Sequence, residues 1–358
     1  MGAADGIRCM LMRGGTSKGA FFLEQDLPSD PAQRDDIILR VVGSPDPRQV
    51  DGVGGAHPLT TKVAVVSGSD LPGIDLEYLF LQPGVSEPTV TERQNCGNML
   101  AAVGPFGVER GLLAPSDGTV TTRIFMKNTD SVAVATFGVA DGAPVYSGDT
   151  EISGVPGSAA RVDLEFLDIA GASAGALLPT GEVSDTVAGV PVTLIDNGMP
   201  VVLIEAGAIG LAGYESCEEL EANGSLVAKL EEIRLAAGPI MSLGDVSTAT
   251  IPKLTIVSAP RAGGTIATRT FIPHRCHRAI GVLGAVSVAT AALIPGSVAE
   301  PLAEQSVVSP IVRLEHPTGS FDVRVSLSFE SGTVTVDSAG IIRTARKLMD
   351  GFVYPRPA

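Results

Sequence analysis

Short apolar runs at Met10–Met12 and Ala20–Leu23 flank a polar stretch with Gly14 and Gly15; this predicts a strand, a glycine-rich turn and a returning strand. The strand pattern resumes at Lys62–Ser67 and Leu76–Leu81, and Arg123–Met126 and Ser131–Phe137 read as paired strands. Helical spacing sets in after Pro31, to about Val42, and again over Asn98–Arg110, where Pro105 is expected to kink the helix. Farther on, Val192–Leu194 and Val201–Glu205 flank a turn at Asp196–Gly198. Ser225 opens an amphipathic helix with Leu226, Leu230 and Ile233 on one face, ending near Gly238. Leu254–Ser258 is another strand. The tail alternates at Phe321, Val323, Val325 and Leu327, turns at Ser331–Gly332 and returns through Val334 and Val336.

A chain of 358 residues exceeds what one core usually fills, so two domains are expected. The stretch from Gly138 to Ala160 thickens in Gly, Pro and Ser and marks the boundary, giving domains 1–144 and 145–339. Cys96 and Cys276 each precede an apolar helix and stand 180 positions apart (276 − 96), close to half the chain. Strands lead into both, so one unit, an α-helix enclosed by strands, is read as used twice in an α+β chain. Ala279 to Ala299 carries no charge, a length that reaches across a bilayer. Its Ala, Gly, Ser and Val content, Pro295 and the lack of basic or aromatic flanks instead predict a helix buried in a domain.

Composition narrows the partners. Hydrophobic residues make up 44%, which excludes a disordered chain. The formal charge of −15 argues against nucleic acid and anionic membranes, and 4% aromatics with no Trp argue against base-stacking platforms. The apolar stretch within Met1–Met12 is too short and interrupted for a signal peptide, which points to the cytoplasm. Cys9, Cys96, Cys217 and Cys276 form no CxxC pair, so neither a disulfide framework nor a structural zinc site is expected. A homo-oligomer is compatible with all of this.

Four segments carry chemistry. Cys96 lies in Gln94-Asn95-Cys96-Gly97-Asn98 at a helix start, where unpaired amides favour negative charge; Asn95 and Asn98 add side-chain donors and Gly97 allows close approach. A buried structural cysteine explains it equally well. Lys62 follows a Gly- and Thr-rich stretch and opens the apolar run Val63–Val66, so its amine is partly desolvated and suited to general-base work; a strand-end lysine reaching for water is the plainer reading. Met12–Gly19 is a turn with two hydroxyls, Thr16 and Ser17, and two cations, Arg13 and Lys18, out of register with a Walker A loop. Arg269 to Arg278 packs three arginines and two histidines around Cys276, a cationic wall suited to a polycarboxylate through Arg269, His274 and Arg275. The spacing of His274, Cys276 and His277 suits no common zinc motif, and no metal is expected.

Together these segments are specific. MRGGTSKG, SPDPRQVDGVGGAHPLTTKVAVV, QNCGNMLAAVGPFGVERGL, LPTG, DNGMPVVL and IPHRCHRAIGVLGAVSVATA resemble the signature of the 2-methylaconitate isomerase-like family over nearly the whole chain, from Cys9 to Val353. RIFMKNT, DNGMPVV and TFIPHRCH are most similar to its 4-oxalomesaconate tautomerase (Δ-isomerase) branch, of gallate and protocatechuate breakdown. The resemblance implies the diaminopimelate epimerase fold, two similar domains each with a central helix wrapped by a barrel-like mixed sheet, with the final strand returning so that 340–358 completes the first domain. It also implies a cofactor-independent 1,3-allylic proton shift on a tricarboxylate, with Lys62 and Cys96 catalytic. Thr16, Ser17, Asn95, Gly97, Asn98, Arg269, His274, Arg275 and Cys276 then line the substrate. A symmetric two-thiol racemase fits less well, because Cys276 is followed by His277-Arg278 and not by a CGTG-type loop. The alternatives are a 2-methylaconitate cis–trans isomerase, an amino-acid racemase or epimerase of the same fold, and a non-catalytic carboxylate-binding protein. The expectation common to the catalytic readings is that the Lys62 amine and the Cys96 thiol meet at one anion-lined crevice.

Overall fold

The computed structural model describes the chain except residues 1–5, 93–94, 305–310, 331 and 358. It divides into two compact units, Met1–Leu167 with Ile342–Ala358, and Asp168–Ile341.

The first unit opens with a hairpin, β1 (Ile7–Gly14) and β2 (Ser17–Leu23). Helix α1 (Pro31–Val42) follows, capped by the Asp30 carboxylate, which accepts from the Gln33 amide at 2.9 Å; Pro31 fills its first position, where no amide donor is needed. β3 (Lys62–Gly68) then lies parallel to β2, with Gly19 opposite Lys62, and β4 (Leu76–Pro83) returns antiparallel to it. After the short β5 (Val90–Thr91) come α2 (Gly97–Leu100) and α3 (Val103–Glu109), buried at Met99, Leu100 and from Val103 to Val108. The expected single helix, kinked at Pro105, is thus two, with the break at Ala101–Ala102. The restart places Pro105 third in α3, where its missing N–H leaves no helical bond unmade. β6 (Gly118–Met126) runs parallel to β4, and β7 (Ser131–Ala140), β8 (Ala143–Pro144) and β9 (Arg161–Phe166) finish the passage.

The second unit repeats this order. β10 (Asp185–Val187) and β11 (Val190–Asp196) lead to β12 (Pro200–Glu205), then α4 (Cys217–Ala222), α5 (Gly224–Ile240) and β13 (Lys253–Ser258). β14 (Ile266–Phe271), α6 (Val282–Ala292), β15 (Ile311–His316), β16 (Gly319–Glu330) and β17 (Thr333–Val353) complete it. From β1 to β7 the pairings run antiparallel, parallel, antiparallel, parallel, antiparallel; from β11 to β16 they run the same way. In each series the buried helix falls at the second parallel step, where a crossover is required. β17 pairs with β16 over Thr333–Ile341, and its later residues pair with β1 as part of the first unit, Val353 opposite Ile7. Ser331 of the expected tail turn lies outside the described residues.

Three other expectations are corrected. The boundary falls at Leu167/Asp168, not 144/145, because β9 pairs with β7 and holds the Gly- and Pro-rich stretch as a loop of the first unit. The helix expected from Ser225 starts at Gly224, capped by the Asn223 side chain, and continues through Pro239 to Ile240. The uncharged helix begins only at Val282, behind Gly281, and spans 11 residues, about 16 Å against the roughly 30 Å of a bilayer core. No helix among the described residues is long and apolar enough to cross a membrane. The hydroxyls of α6 are satisfied locally, Ser287 donating to the Met199 carbonyl at 2.7 Å and Thr290 to that of Val286 at 2.8 Å.

Candidate functional site

Lys62 stands where a long loop enters β3, and one buried amide holds that loop. The Gln49 carbonyl oxygen accepts from the Ala56 amide at 2.7 Å and the Thr61 hydroxyl at 2.6 Å, and its Nε2 donates to the Ser44 hydroxyl at 3.0 Å. The residue before Lys62 is thereby fixed. Its Nζ donates to Gln82 Oε1 at 2.7 Å and lies 4.9 Å from the centroid of the Phe80 ring, within reach of that ring's negative face. Lys62 keeps 7% exposure, so the amine is desolvated but not sealed.

Tyr78, Phe80 and Gln82 alternate along β4 and share one of its faces. Phe80 is locked in place by Asn128, whose Oδ1 accepts from the Phe80 amide at 2.8 Å and whose Nδ2 donates to the Phe80 carbonyl at 2.9 Å. At the other end of the same face, the buried Tyr78 hydroxyl donates to the Cys96 carbonyl at 3.4 Å. Burial, with Cys96 nearby as a second cause, pushes the Tyr78 phenol well above its usual value, so it stays a donor. One strand face therefore touches both Lys62 and Cys96. Cys96 is half-buried and occupies the N-cap position of α2. The helix start leaves the Gly97 and Asn98 amides without intrahelical acceptors. Gln94 of the same motif lies outside the described residues.

The Gly14–Gly15 turn presses on the other side of α2. Gly15 is left-handed (φ +51°), and a Cβ there would sit 2.1 Å from Asn98 Oδ1. Asn98 has its amide orientation fixed from two sides, Nδ2 donating to Thr16 Oγ1 at 3.1 Å and Oδ1 accepting from Arg343 Nε at 3.1 Å. Arg13 is structural: its NH1 donates to the Gly15 and Thr344 carbonyls at 2.9 and 3.0 Å, tying the turn to β17. Gly19 brings α2 onto the strand of Lys62, since a Cβ there would meet the Lys62 carbonyl oxygen at 2.3 Å and Met99 Cε at 2.6 Å. Two buried oxygens of this region, Ser17 Oγ and Asn95 Oδ1, have no hydrogen-bond partner among the described residues. Such groups cost about 1–3 kcal/mol each unless a ligand or water meets them.

The cationic cluster belongs to the second unit, and there it is neutralised locally. Arg269 is buried and donates to the Glu215 and Thr268 carbonyls at 2.7 and 2.9 Å. Arg275 pairs with Glu221 at 2.8 Å, Arg278 with Glu218 at 2.7 Å, and His274 lies 3.7 Å from Glu231. The acids come from α4 and α5, more than 40 residues earlier in the chain (274 − 231 = 43), so sequence spacing hides them. Cys276 is not a helix cap like Cys96; it forms a bridge with Phe271, six residues ahead of Val282 (282 − 276). Burial, then the adjacent Cys217 thiol, pushes its thiol well up, away from the thiolate. In the same unit burial, seconded by Arg234, pushes the Lys253 amine down to about 8. No cluster of three metal-ligating side chains occurs among the described residues.

Sequence reasoning missed Gln82, Phe80, Tyr78, Asn128, Gln49 and Arg343. The period-two spacing of Tyr78, Phe80 and Gln82 opposite Lys62 was the available signal. Comparison with known proteins agrees with the motifs. The chain is 56% identical over 354 residues to the (4E)-oxalomesaconate Delta-isomerase of Novosphingobium sp. (strain KA1), covering 98% of each chain. It is 56% identical over 348 residues to the 4-oxalomesaconate tautomerase of Pseudomonas putida, covering 97% of this chain and 95% of that one. A methylitaconate-delta-isomerase crystal structure superposes with a TM-score of 0.87 at 32% identity, covering 98% and 96%. At 14% identity and a TM-score of 0.54, a hydroxyproline epimerase from Agrobacterium vitis, covering 98% and 93%, shares the two-unit α+β fold expected of diaminopimelate epimerase-like chains. The sequence pattern described as PrpF protein matches residues 5–356, and the chain belongs to that family.

Proposed function

We propose that the chain is a cofactor-independent isomerase that moves a proton across the allylic unit of 4-oxalomesaconate, a tricarboxylate of aromatic-acid breakdown. The Lys62 amine takes a proton from the carbon beside the double bond, and the electron pair spreads into the conjugated keto acid as an extended enolate. The Gly97 and Asn98 amides donate to that charge, the Thr16 and Ser17 hydroxyls meet the carboxylates, and the unpartnered Asn95 Oδ1 accepts from a protonated acid or enol hydroxyl of the substrate. A proton returns two carbons away from the Cys96 thiol, which recovers one from the Lys62 ammonium; no atom is gained or lost. The reading uses the first unit alone. Arg269 and Cys276, buried against backbone, and His274 and Arg275, faced by Glu231 and Glu221, are left out of it.

The observation that supports it best is the single face of β4 that holds Lys62 through Gln82 and Cys96 through Tyr78. The names of the 56%-identical relatives support the substrate. A cytoplasmic setting fits the four free thiols. The test is Lys62→Met, followed by ultraviolet absorbance as the conjugated double bond moves. Loss of a general base lowers kcat by about 10²–10⁴-fold. The control Lys253→Met, which removes the second unit's easily deprotonated amine, keeps wild-type turnover. Near-normal kcat in Lys62→Met overturns the mechanism. Faster turnover of 2-methylaconitate overturns the substrate, and deuterium entering a stereocentre without double-bond migration marks a racemase instead.

A further inference from the structure

We propose that Gln82 is a positioning residue for Lys62, aiming its amine with a neutral acceptor that serves both protonation states. This rests on the reading of Lys62 as the base. Gln82 cannot turn its amide round. Its Nε2 donates to the Thr61 carbonyl at 2.8 Å and the Pro83 carbonyl at 3.2 Å, so Oε1 necessarily faces the amine, 2.7 Å away. Thr61 is itself anchored to Gln49, so loop, amide and lysine form one rigid chain of contacts. With one N–H taken by Gln82 and the Phe80 ring beneath, the remaining directions of Nζ are the ones left for chemistry.

The choice of an amide is informative because the same unit shows the alternative. Lys127 is held by Glu77 at 2.8 Å and Glu24 at 2.9 Å. Burial works against its charge, yet hydrogen bonds to those two carboxylates hold Lys127 above its ordinary value. A lysine so paired stays an ammonium. An amide oxygen accepts from ammonium and amine alike and adds no charge, so the proton can leave and return while the nitrogen keeps its place.

Three variants of the full-length protein test this, each checked for folding by thermal melting. Gln82→Glu puts a carboxylate against Nζ; the acid limb of the kcat/KM–pH profile moves to higher pH by a unit or more, giving a tenfold or larger loss at pH 7 that is recovered on the alkaline side. Gln82→Asn keeps the amide but withdraws it by one carbon–carbon bond, so kcat falls at least severalfold at every pH with KM within about twofold. Lys62→Met separates the two claims. If it retains turnover, the base assignment fails, whatever Gln82 does. If Lys62→Met is inactive while the folded Gln82 variants keep wild-type kcat and pH profile, the positioning role is overturned. Should Gln82→Glu fail to fold, Gln82→Asn alone decides, and an unchanged kcat there overturns the proposal.

Discussion

Asn98→Asp is the sharpest probe of the proposed substrate-binding region. The substitution is close to isosteric, and the new carboxylate still accepts from Arg343 Nε where Asn98 Oδ1 now does at 3.1 Å. What changes is the other side: Nδ2 no longer donates to Thr16 Oγ1, now 3.1 Å away, and the Thr16 hydroxyl must turn its own proton inward. A substrate carboxylate resting on Thr16 at a normal hydrogen-bond length would then lie about 5 Å from a full negative charge. At an effective dielectric of about 20 that repulsion is roughly 3 kcal/mol. The retained Arg343 guanidinium screens about half of it, leaving about 1.5 kcal/mol, or about tenfold in affinity. The assay is competitive inhibition by tricarballylate, which has three carboxylates and no double bond to move, beside the KM for 4-oxalomesaconate. Both constants rise about tenfold or more while the melting temperature shifts by no more than a few degrees, since the Arg343 contact survives. Unchanged constants in a folded variant would refute the placing of a carboxylate on Thr16.

Two further expectations come from packing and titration. Gly19→Ala forces a methyl between the Lys62 carbonyl and Met99, contacts of 2.3 and 2.6 Å, and overpacking of this kind costs about 1–3 kcal/mol; calorimetry should show a lowered melting temperature with reduced turnover, and wild-type values for both would mean α2 does not rest on β3. Burial, as the largest cause, holds His277 and His316 below their ordinary value, so the unfolded chain binds protons more readily; the stability they contribute is complete above about pH 6.5 and declines as pH falls toward their folded values. Melting temperatures measured from pH 7.5 to 5.5 should therefore fall less steeply in a His277→Asn, His316→Asn double variant, which keeps an acceptor for the Ala279 and Thr318 amides; an identical slope would remove the histidines as the cause.

Much of the first unit was legible from its sequence for identifiable reasons. Cys96 ahead of an apolar run reads as a helix start, and Lys62 ahead of four apolar residues reads as the mouth of a strand; both stand there. Gln82 and Asn128 were not legible, because a polar residue at a strand end or turn looks the same whether it faces water or clamps a neighbour. The second unit misled where composition is flat. Ala279–Gly281 carries no capping side chain, so nothing in the sequence says that α6 waits until Val282 and leaves Cys276 on a β-bridge. The charges of Arg275 and Arg278 are obvious in the sequence, but the carboxylates that face them lie on another helix, and only the folded chain brings Glu221 and Glu218 to them.

The contrast between the two units bears on why Lys62 and Cys96 are framed as they are. Arg275 and Arg278 of the second unit face carboxylates; the polar side chains contacting Lys62, Asn98 and the loop before Lys62 are Gln82, Thr16, Arg343 and Gln49, three neutral and one cationic. A carboxamide can be fixed from two sides because it both donates and accepts, and Gln49, Gln82, Asn98 and Asn128 are all held that way. A carboxylate in any of these places would lose the donor side and set its oxygen against the carbonyl or hydroxyl that the amide N–H now meets. It would also stand within several ångströms of a ligand carrying three negative charges, at about 3 kcal/mol per close pair. For a chain with 40 acidic residues, amides give the required rigidity without that repulsion, and they leave Ser17 Oγ and Asn95 Oδ1, the first unit's buried side-chain oxygens without partners among the described residues, as polar atoms still to be satisfied. A hydroxyl answers a carboxylate directly; the bare Asn95 oxygen requires a donor, which a protonated acid or an enol hydroxyl of the substrate supplies.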